Sequence, residues 1–161
     1  MAAEVTITSG RLRGTVEQGV HAFKGIPYAA APVGDLRLRP PVPPAAWDGV
    51  RSASDYGLTA IQQAMPGIFG ELGTPQSPAG DDCLNLNVWT PDPGAAGLPV
   101  LVWIHGGAFY AGSGVDDVYN GAAFARDGIV CVTINYRLGV QGFWHLAEHF
   151  AELSESGNLG L

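Results

Sequence analysis

Two continuous apolar runs constrain the fold of this 161-residue chain more than any other feature. Residues 98–104 and 129–135 are rich in β-branched side chains, which is typical of strands that helices cover on both faces. Between them, residues 120–128 predict a short helix that closes at Gly128. Strand, short helix and strand in this order indicate an α/β fold with a mainly parallel central sheet.

The N-terminal segment has a different pattern. Residues 5–7, 11–16 and 20–23 predict a small antiparallel meander, because Gly10 and Gly19 mark turns between them. Residues 82–90 alternate apolar and polar side chains, which predicts a strand with one buried face.

Two further segments allow simpler predictions. Five prolines between Pro32 and Pro44 exclude helix and sheet interior there. Residues 142–153 predict another helix, because Phe143, Leu146 and Phe150 recur at helical spacing.

Charge and hydropathy exclude several kinds of partner. The net charge is −7 with only eight Lys and Arg residues, whereas nucleic-acid binding requires clustered positive charge. No apolar run reaches the roughly 18 residues of a membrane span, and the first ten residues do not resemble a secretory leader. We therefore expect a cytoplasmic protein that binds neither nucleic acid nor membrane.

The two cysteines lie far apart and lack the spacing of a metal site. Cys131 sits within an apolar run, where a free thiol behaves as a small buried hydrophobe. A disulfide with Cys83 is the less favoured alternative.

A glycine-containing turn follows the first apolar run directly. Residues 105–109 read His-Gly-Gly-Ala-Phe, and glycine allows successive backbone N–H groups to converge on one oxygen atom. In esterase-like α/β enzymes, a loop at this place donates hydrogen bonds to a developing oxyanion. The turn therefore predicts a site that stabilises negative charge.

Seven ordered motifs extend this observation over nearly the whole chain, which resembles the type B carboxylesterases, the family that includes the cholinesterases. Bacterial members are the better match. The motifs are Lys-Gly-Ile-Pro-Tyr-Ala at 24–29, the segment 32–41, Trp-Asp-Gly-Val at 47–50, the segments 81–89 and 103–109, Asn-Tyr-Arg-Leu-Gly at 135–139, and Gly-Asn-Leu-Gly-Leu at 157–161.

The resemblance implies an α/β-hydrolase fold, with residues 1–161 as the N-terminal portion of one catalytic domain. It implies hydrolysis of small-molecule carboxylic esters through an acyl-enzyme, with no cofactor. Gly107 and Ala108 match the oxyanion-hole donors, and Gly106 begins their loop. The nucleophile, acid and base of the family follow later, so the partner that completes the site is the remaining C-terminal part of the enzyme. By itself, this segment is expected to be inactive or nearly so.

Further matches concern structure. Arg37 and Asp81 match an ion pair of the family, although the second position is usually Glu. Cys83 matches one half of a family disulfide whose other half, near residues 57–62, is not a cysteine here. Arg137 matches an arginine that meets an acidic residue located beyond Leu161.

Three further candidate roles concern a serine and three histidines of these segments. Ser113 lacks the Gly-x-Ser-x-Gly context of a nucleophile. His105 fits a loop-orienting role better than that of a general base, since a base needs a nucleophile within reach. His145 and His149 could ligate zinc if they shared a helical face, but little chain follows to supply a third ligand.

Two expectations concern the segment as a whole. A non-catalytic, esterase-like binding module is the alternative function. If the resemblance holds, the strand at 100–104 neighbours the strand that leads to the missing nucleophile, so its edge would be exposed in this segment.

Overall fold

The computed structural model describes residues 2–63 and 77–161. Seven strands form one mixed sheet: β1 (Ala2–Ile7), β2 (Gly10–Glu17), β3 (Val20–Pro27), β4 (Val50–Ser52), β5 (Asn85–Thr90), β6 (Val100–Ile104) and β7 (Val130–Ile134). In the same described residues, two short α-helices accompany the sheet, α1 (Ala122–Arg126) and α2 (Gly139–Phe143). Three 3₁₀ turns lie at Gly34–Leu36, Asp117–Tyr119 and Ala151–Leu153.

The sheet has the order β1-β2-β3-β5-β7-β6, and β4 pairs with β2. Along this order the neighbouring strands from β1 to β7 pair antiparallel. The last pair, β7 and β6, is parallel, with Val100 opposite Val130 and Ile104 opposite Ile134, and β4 also runs parallel to β2. The predicted meander and the predicted strand–helix–strand unit are both confirmed. The proline-rich segment forms only the short 3₁₀ turn at Gly34–Leu36.

Strand β5 buries the face that carries its asparagines. An alternating strand usually buries its apolar face instead. Asn85 and Asn87 are 4% and 0% exposed, while Leu86 and Val88 are only half-buried. The amides can be buried because they bond inside the protein: Asn87 Nδ2, for example, donates to Thr133 Oγ1 at 3.0 Å.

Strands β6 and β7 were predicted to be covered on both faces, and this is wrong for β6 within the described residues. Val100, Val102 and Ile104 are 61%, 53% and 58% exposed, so this face of the strand is largely uncovered. Among the described residues, β6 also lies at the edge of the sheet and pairs only with β7. The predicted exposed edge of β6 is therefore present in the part of the chain that the structure describes.

The predicted helix at 142–153 is also wrong. Helix α2 covers Gly139–Phe143, and the next regular element is the 3₁₀ turn at Ala151–Leu153. The end of α2 leaves Trp144 extended. The apolar spacing of this segment therefore does not place its side chains on one helical face.

Both cysteines are buried free thiols, as predicted for Cys131. Cys83 packs in one core cluster with Ala60, Leu84 and Tyr136. Burial is the main cause that raises the pKa of the Cys83 thiol to about 11, so this group stays protonated near neutral pH.

Within the described residues, no helix is long and apolar enough to cross a membrane.

Candidate active site

Strand β6 leads straight into the glycine loop, which we define as residues 105–115. Gly107, Ala108 and Phe109 have φ values of +122°, +52° and +66°. Two consecutive non-glycine residues in this left-handed region are strained, and such strain concentrates at functional sites. A Cβ atom at Gly107 would collide with the carbonyl of Ala111, so the turn requires glycine at this position.

The two N–H groups predicted as oxyanion donors are unpaired among the described residues. Within residues 2–63 and 77–161, no acceptor takes a hydrogen bond from the N–H of Gly107 or Ala108. The carbonyl of Gly107, by contrast, accepts from the N–H groups of Tyr110 and Ala111, each at 3.1 Å. Adjacent free amide donors on a partly exposed turn can bind an oxyanion.

His105 lies behind these donors and is only 3% exposed. Its Nδ1 lies 2.8 Å from the carbonyl oxygen of Gly106, to which the neutral ring donates. The ring stacks on Tyr136 at a centroid distance of 4.3 Å, and the Tyr136 hydroxyl donates to the His105 carbonyl at 2.9 Å. Burial lowers the pKa of His105, which favours the neutral form. These contacts suit a residue that orients the loop.

Polar side chains of the core hold the far end of the loop. Thr133 Oγ1 and Asn87 Nδ2 donate to the carbonyl of Gly114 at 2.6 and 3.2 Å. The N–H of Gly114 donates to Asn135 Oδ1 at 2.7 Å. A Cβ atom on Gly114 would approach the carbonyl oxygen of Ile134 to 2.6 Å, so the loop packs directly on the backbone of β7.

Sequence reasoning did not identify these anchoring residues. The available signal was an asparagine or threonine inside an apolar strand, since a buried polar side chain needs a defined partner.

Ser113 is 3% exposed, and its hydroxyl has no hydrogen-bond partner among the described residues. It therefore has neither access to a substrate nor a base to activate it.

The expected ion pair between Arg37 and Asp81 is not formed. Both side chains are exposed, and the one ion pair between described residues joins Arg13 to Glu4 at 2.7 Å. The shorter reach of Asp, compared with the Glu usual in the family, is consistent with this outcome.

Arg137 is 1% exposed, and no carboxylate contacts it within the described residues. Its Nη1 donates to the carbonyl of Arg39 at 2.8 Å, whereas its Nε has no partner among these residues. The resemblance implies an acidic partner for this buried guanidinium, and none of the described carboxylates takes that place.

The zinc hypothesis required two histidines on one face of a helix, and the structure does not show this arrangement. His145 and His149 are exposed and do not lie on a helix, because α2 ends at Phe143. Within the described part of the chain, no three His, Cys, Asp or Glu side chains are grouped as metal ligands.

An apolar recess of about 370 Å³ adjoins the free donors. The rings of Phe109 and Phe143, which both line the recess, pack against each other at a centroid distance of 4.8 Å, and the N–H of Gly139 donates to the carbonyl of Phe109 at 2.7 Å. The lining residues are Ala108, Phe109, Tyr110, Gly139, Val140, Phe143 and Trp144. An apolar substituent could therefore lie beside a group held by the amides.

Comparison with known proteins shows similar sequences among bacterial and animal esterases. The chain is 46% identical to the para-nitrobenzyl esterase of Bacillus subtilis (strain 168) over 159 residues, covering 98% of this chain and 32% of that protein. It is 52% identical to the phenmedipham hydrolase of Pseudarthrobacter oxydans over 138 residues, covering 84% and 28%. It is 41% identical to the acetylcholinesterase of Gallus gallus over 170 residues, covering 98% and 22%. The chain thus spans about a third or less of these relatives.

Solved structures of esterases have a similar fold over the length of this chain. A carboxylesterase from Geobacillus stearothermophilus superimposes with a TM-score of 0.85 at 47% identity, over 98% of this chain and 31% of that one. A PNB esterase gives a TM-score of 0.88 at 43% identity, over 98% and 32%. These neighbours identify the mixed sheet as part of an α/β-hydrolase fold. The model of the carboxylesterase family matches residues 1–161. This chain therefore belongs to the carboxylesterase family.

Proposed function

We propose that this chain is the N-terminal portion of the single catalytic domain of a serine carboxylesterase, and that it supplies the oxyanion hole. The observation that carries the proposal is the pair of unpaired N–H groups at Gly107 and Ala108, on a strained turn directly after β6. A turn that merely reverses the chain does not need two free donors beside an apolar recess.

The reaction is ester hydrolysis in two steps. A serine hydroxyl attacks the ester carbonyl carbon, and its proton passes to a base. The carbonyl oxygen becomes an oxyanion, which accepts hydrogen bonds from Gly107 and Ala108. The alcohol leaves with the proton, and water then releases the acid and restores the serine. One such donor contributes on the order of 10²- to 10³-fold in turnover.

The nucleophile, base and acid are proposed to lie in sequence outside these 161 residues. The share of each relative that the chain covers supports this assignment. So does the exposed apolar strand β6, because its free edge is suited to pair with a further strand.

The substrates are proposed to be small carboxylic esters with an apolar group. The recess beside Ala108 supports an apolar substituent, and two relatives are named para-nitrobenzyl esterase and fumonisin B1 esterase.

The test uses the full-length protein that carries this segment. Hydrolysis of a short-chain nitrophenyl ester is measured before and after a serine-directed organophosphate, and intact mass reports the adduct. We expect turnover, one covalent phosphoryl group per chain, and loss of activity. The 161-residue segment alone serves as the control and should show no turnover. A full-length protein that neither turns over nor reacts would refute the esterase and favour the binding module.

A further inference from the structure

The side-chain amide of Gln62 forms a two-point contact with the backbone of Gly112, which belongs to the glycine loop. The N–H of Gly112 donates to Gln62 Oε1 at 2.7 Å, and Gln62 Nε2 donates to the carbonyl of Gly112 at 2.9 Å. Nε2 also donates to the carbonyl of Ala60 at 3.2 Å. Three hydrogen bonds thus fix a half-buried side chain that is 50 residues away in sequence from the loop it holds.

Gly112 is a sensitive point at which to hold the loop. Its φ is +104°, and a Cβ atom there would collide with the carbonyl of Gly106 and would lie 2.5 Å from His105 Nδ1. The backbone of Gly112 therefore packs against the two residues that precede the donor amides. A shift of Gly112 toward His105 and Gly106 must displace them, because the space between them is already filled, and a shift away removes the contact that supports them.

We propose that Gln62 is a positioning residue for the oxyanion hole: its amide clamps Gly112 and thereby holds the Gly107 and Ala108 donors in place. The inference rests on the proposed esterase function. Gln62 itself touches no donor amide, so it acts through Gly112.

The rest of the loop has independent supports, so removal of the clamp should leave the fold intact. Gly114 remains bonded to Asn135 and Thr133, and the carbonyl of Phe109 still accepts from Gly139. The expected consequence is a small displacement of the donors, and a misplacement of about 1 Å can cost on the order of 100-fold in rate.

The first test compares Gln62→Met, which keeps the length but removes the hydrogen bonds, with Gln63→Met at the exposed neighbouring position. In the full-length enzyme, Gln62→Met should lower kcat by about 10- to 100-fold and leave KM within about twofold. The affinity for a trifluoromethyl ketone, which forms a tetrahedral oxyanion adduct, should fall by a similar factor. Gln63→Met should match the wild type. A Gln62→Met enzyme with wild-type kcat and only a lower melting temperature would overturn the proposal.

A second variant supplies a signature that a purely structural role would not give. Gln62→Glu keeps the acceptor for Gly112 N–H, but its carboxylate cannot donate to the Gly112 carbonyl. When protonated, the carboxyl group can both donate and accept, so the ratio of variant to wild-type kcat should rise as pH falls. A ratio that is independent of pH would count against the clamp.

Hydrogen exchange separates failure of this inference from failure of the proposed function. Exchange in a peptide covering Gly112 should be faster in Gln62→Met than in the wild type, and unchanged in Gln63→Met. An inactive wild-type enzyme refutes the esterase and with it the role in catalysis. An active wild type with normal exchange and turnover in Gln62→Met refutes the clamp alone.

Discussion

The front and the stem of the glycine loop differ in almost every physical respect. The front (residues 106–109) is largely exposed, strained, and has free N–H donors at Gly107 and Ala108. The stem (residues 111–115) is largely buried, and its Gly114 is hydrogen-bonded through both its N–H and its carbonyl. A donor that must stay unpaired for a substrate cannot be held by its own hydrogen bonds, so the adjacent backbone is held instead.

The comparison predicts that changes in the front alter turnover, whereas loss of the polar side chains that anchor Gly114 in the stem alters stability. The Gln62 clamp on Gly112 should behave like the front, because it acts on the position of the donors. The following variants of the full-length protein test this separation, in order of decreasing effect.

Gly107→Ala should have the largest effect. The added Cβ atom collides with the carbonyl of Ala111 at a left-handed φ of +122°, so the turn and its donors must move. We expect kcat to fall by about 10²- to 10³-fold in nitrophenyl ester hydrolysis. Gly106→Ala should cost less, because a Cβ atom there meets nothing within 4 Å. Equal losses of kcat in Gly107→Ala and Gly106→Ala would contradict the tight turn assigned to Gly107.

Asn135→Ala should mainly destabilise the protein. It removes the acceptor for Gly114 N–H and the donor to Asn85 Oδ1, and leaves these buried groups unpaired. We expect a loss of about 3 kcal/mol in the free energy of unfolding, measured with denaturant. Asn120→Ala, at an exposed residue with one bond to Ala122 N–H, should cost about 1 kcal/mol or less. If Asn135→Ala and Asn120→Ala lower the free energy of unfolding by similar amounts, the buried hydrogen bonds of Asn135 do not anchor the stem.

Tyr136→Phe should have a smaller effect, because it keeps the ring stacked on His105 and removes only the hydroxyl donor to the His105 carbonyl. We expect destabilisation of about 1 kcal/mol by chemical denaturation. Tyr119→Phe is the matched control, since the Tyr119 hydroxyl has no hydrogen-bond partner within the described residues. If Tyr136→Phe is no more destabilising than Tyr119→Phe, the Tyr136 hydroxyl does not contribute to the stability of the loop.

The pH dependence that arises from His105 should be the smallest effect. Burial lowers its folded-state pKa, so its contribution to stability is present above the unfolded pKa of about 6.5 and is lost as pH falls. The melting-temperature difference between wild type and His105→Gln should therefore narrow from pH 7.5 to pH 5. A constant difference over this range would contradict a buried neutral imidazole.

Strand pattern and turn chemistry were sufficient to predict most of the sheet and the place of the loop. The meander, β6, β7 and α1 follow from local patterns, and the glycine turn after β6 marks the place of the loop. The assignment of Gly106, Gly107 and Ala108 to an oxyanion hole came from the family resemblance. Periodicity failed after Phe143, where an apolar spacing of helical type does not form a helix.

Long-range polar contacts could not be predicted, for a physical reason. Gln62 and Gly112 are 50 residues apart, and the Asn87 amide meets Gly114 across 27 residues. A polar residue inside an apolar strand signals that a partner exists, but local sequence does not identify that partner, because it is a backbone atom that every residue possesses. On β5, the alternation was read correctly as a strand, but which face is buried depended on these partners.

The most direct test of the central claim is a crystal structure of the full-length protein whose nucleophilic serine carries an organophosphate. The phosphoryl oxygen then stands where the oxyanion of the ester would be. We predict that this oxygen lies within about 3.1 Å of the backbone nitrogens of both Gly107 and Ala108. An adduct whose oxygen is directed elsewhere, with these two N–H groups still unpaired, would contradict the assignment of the glycine loop as the oxyanion hole.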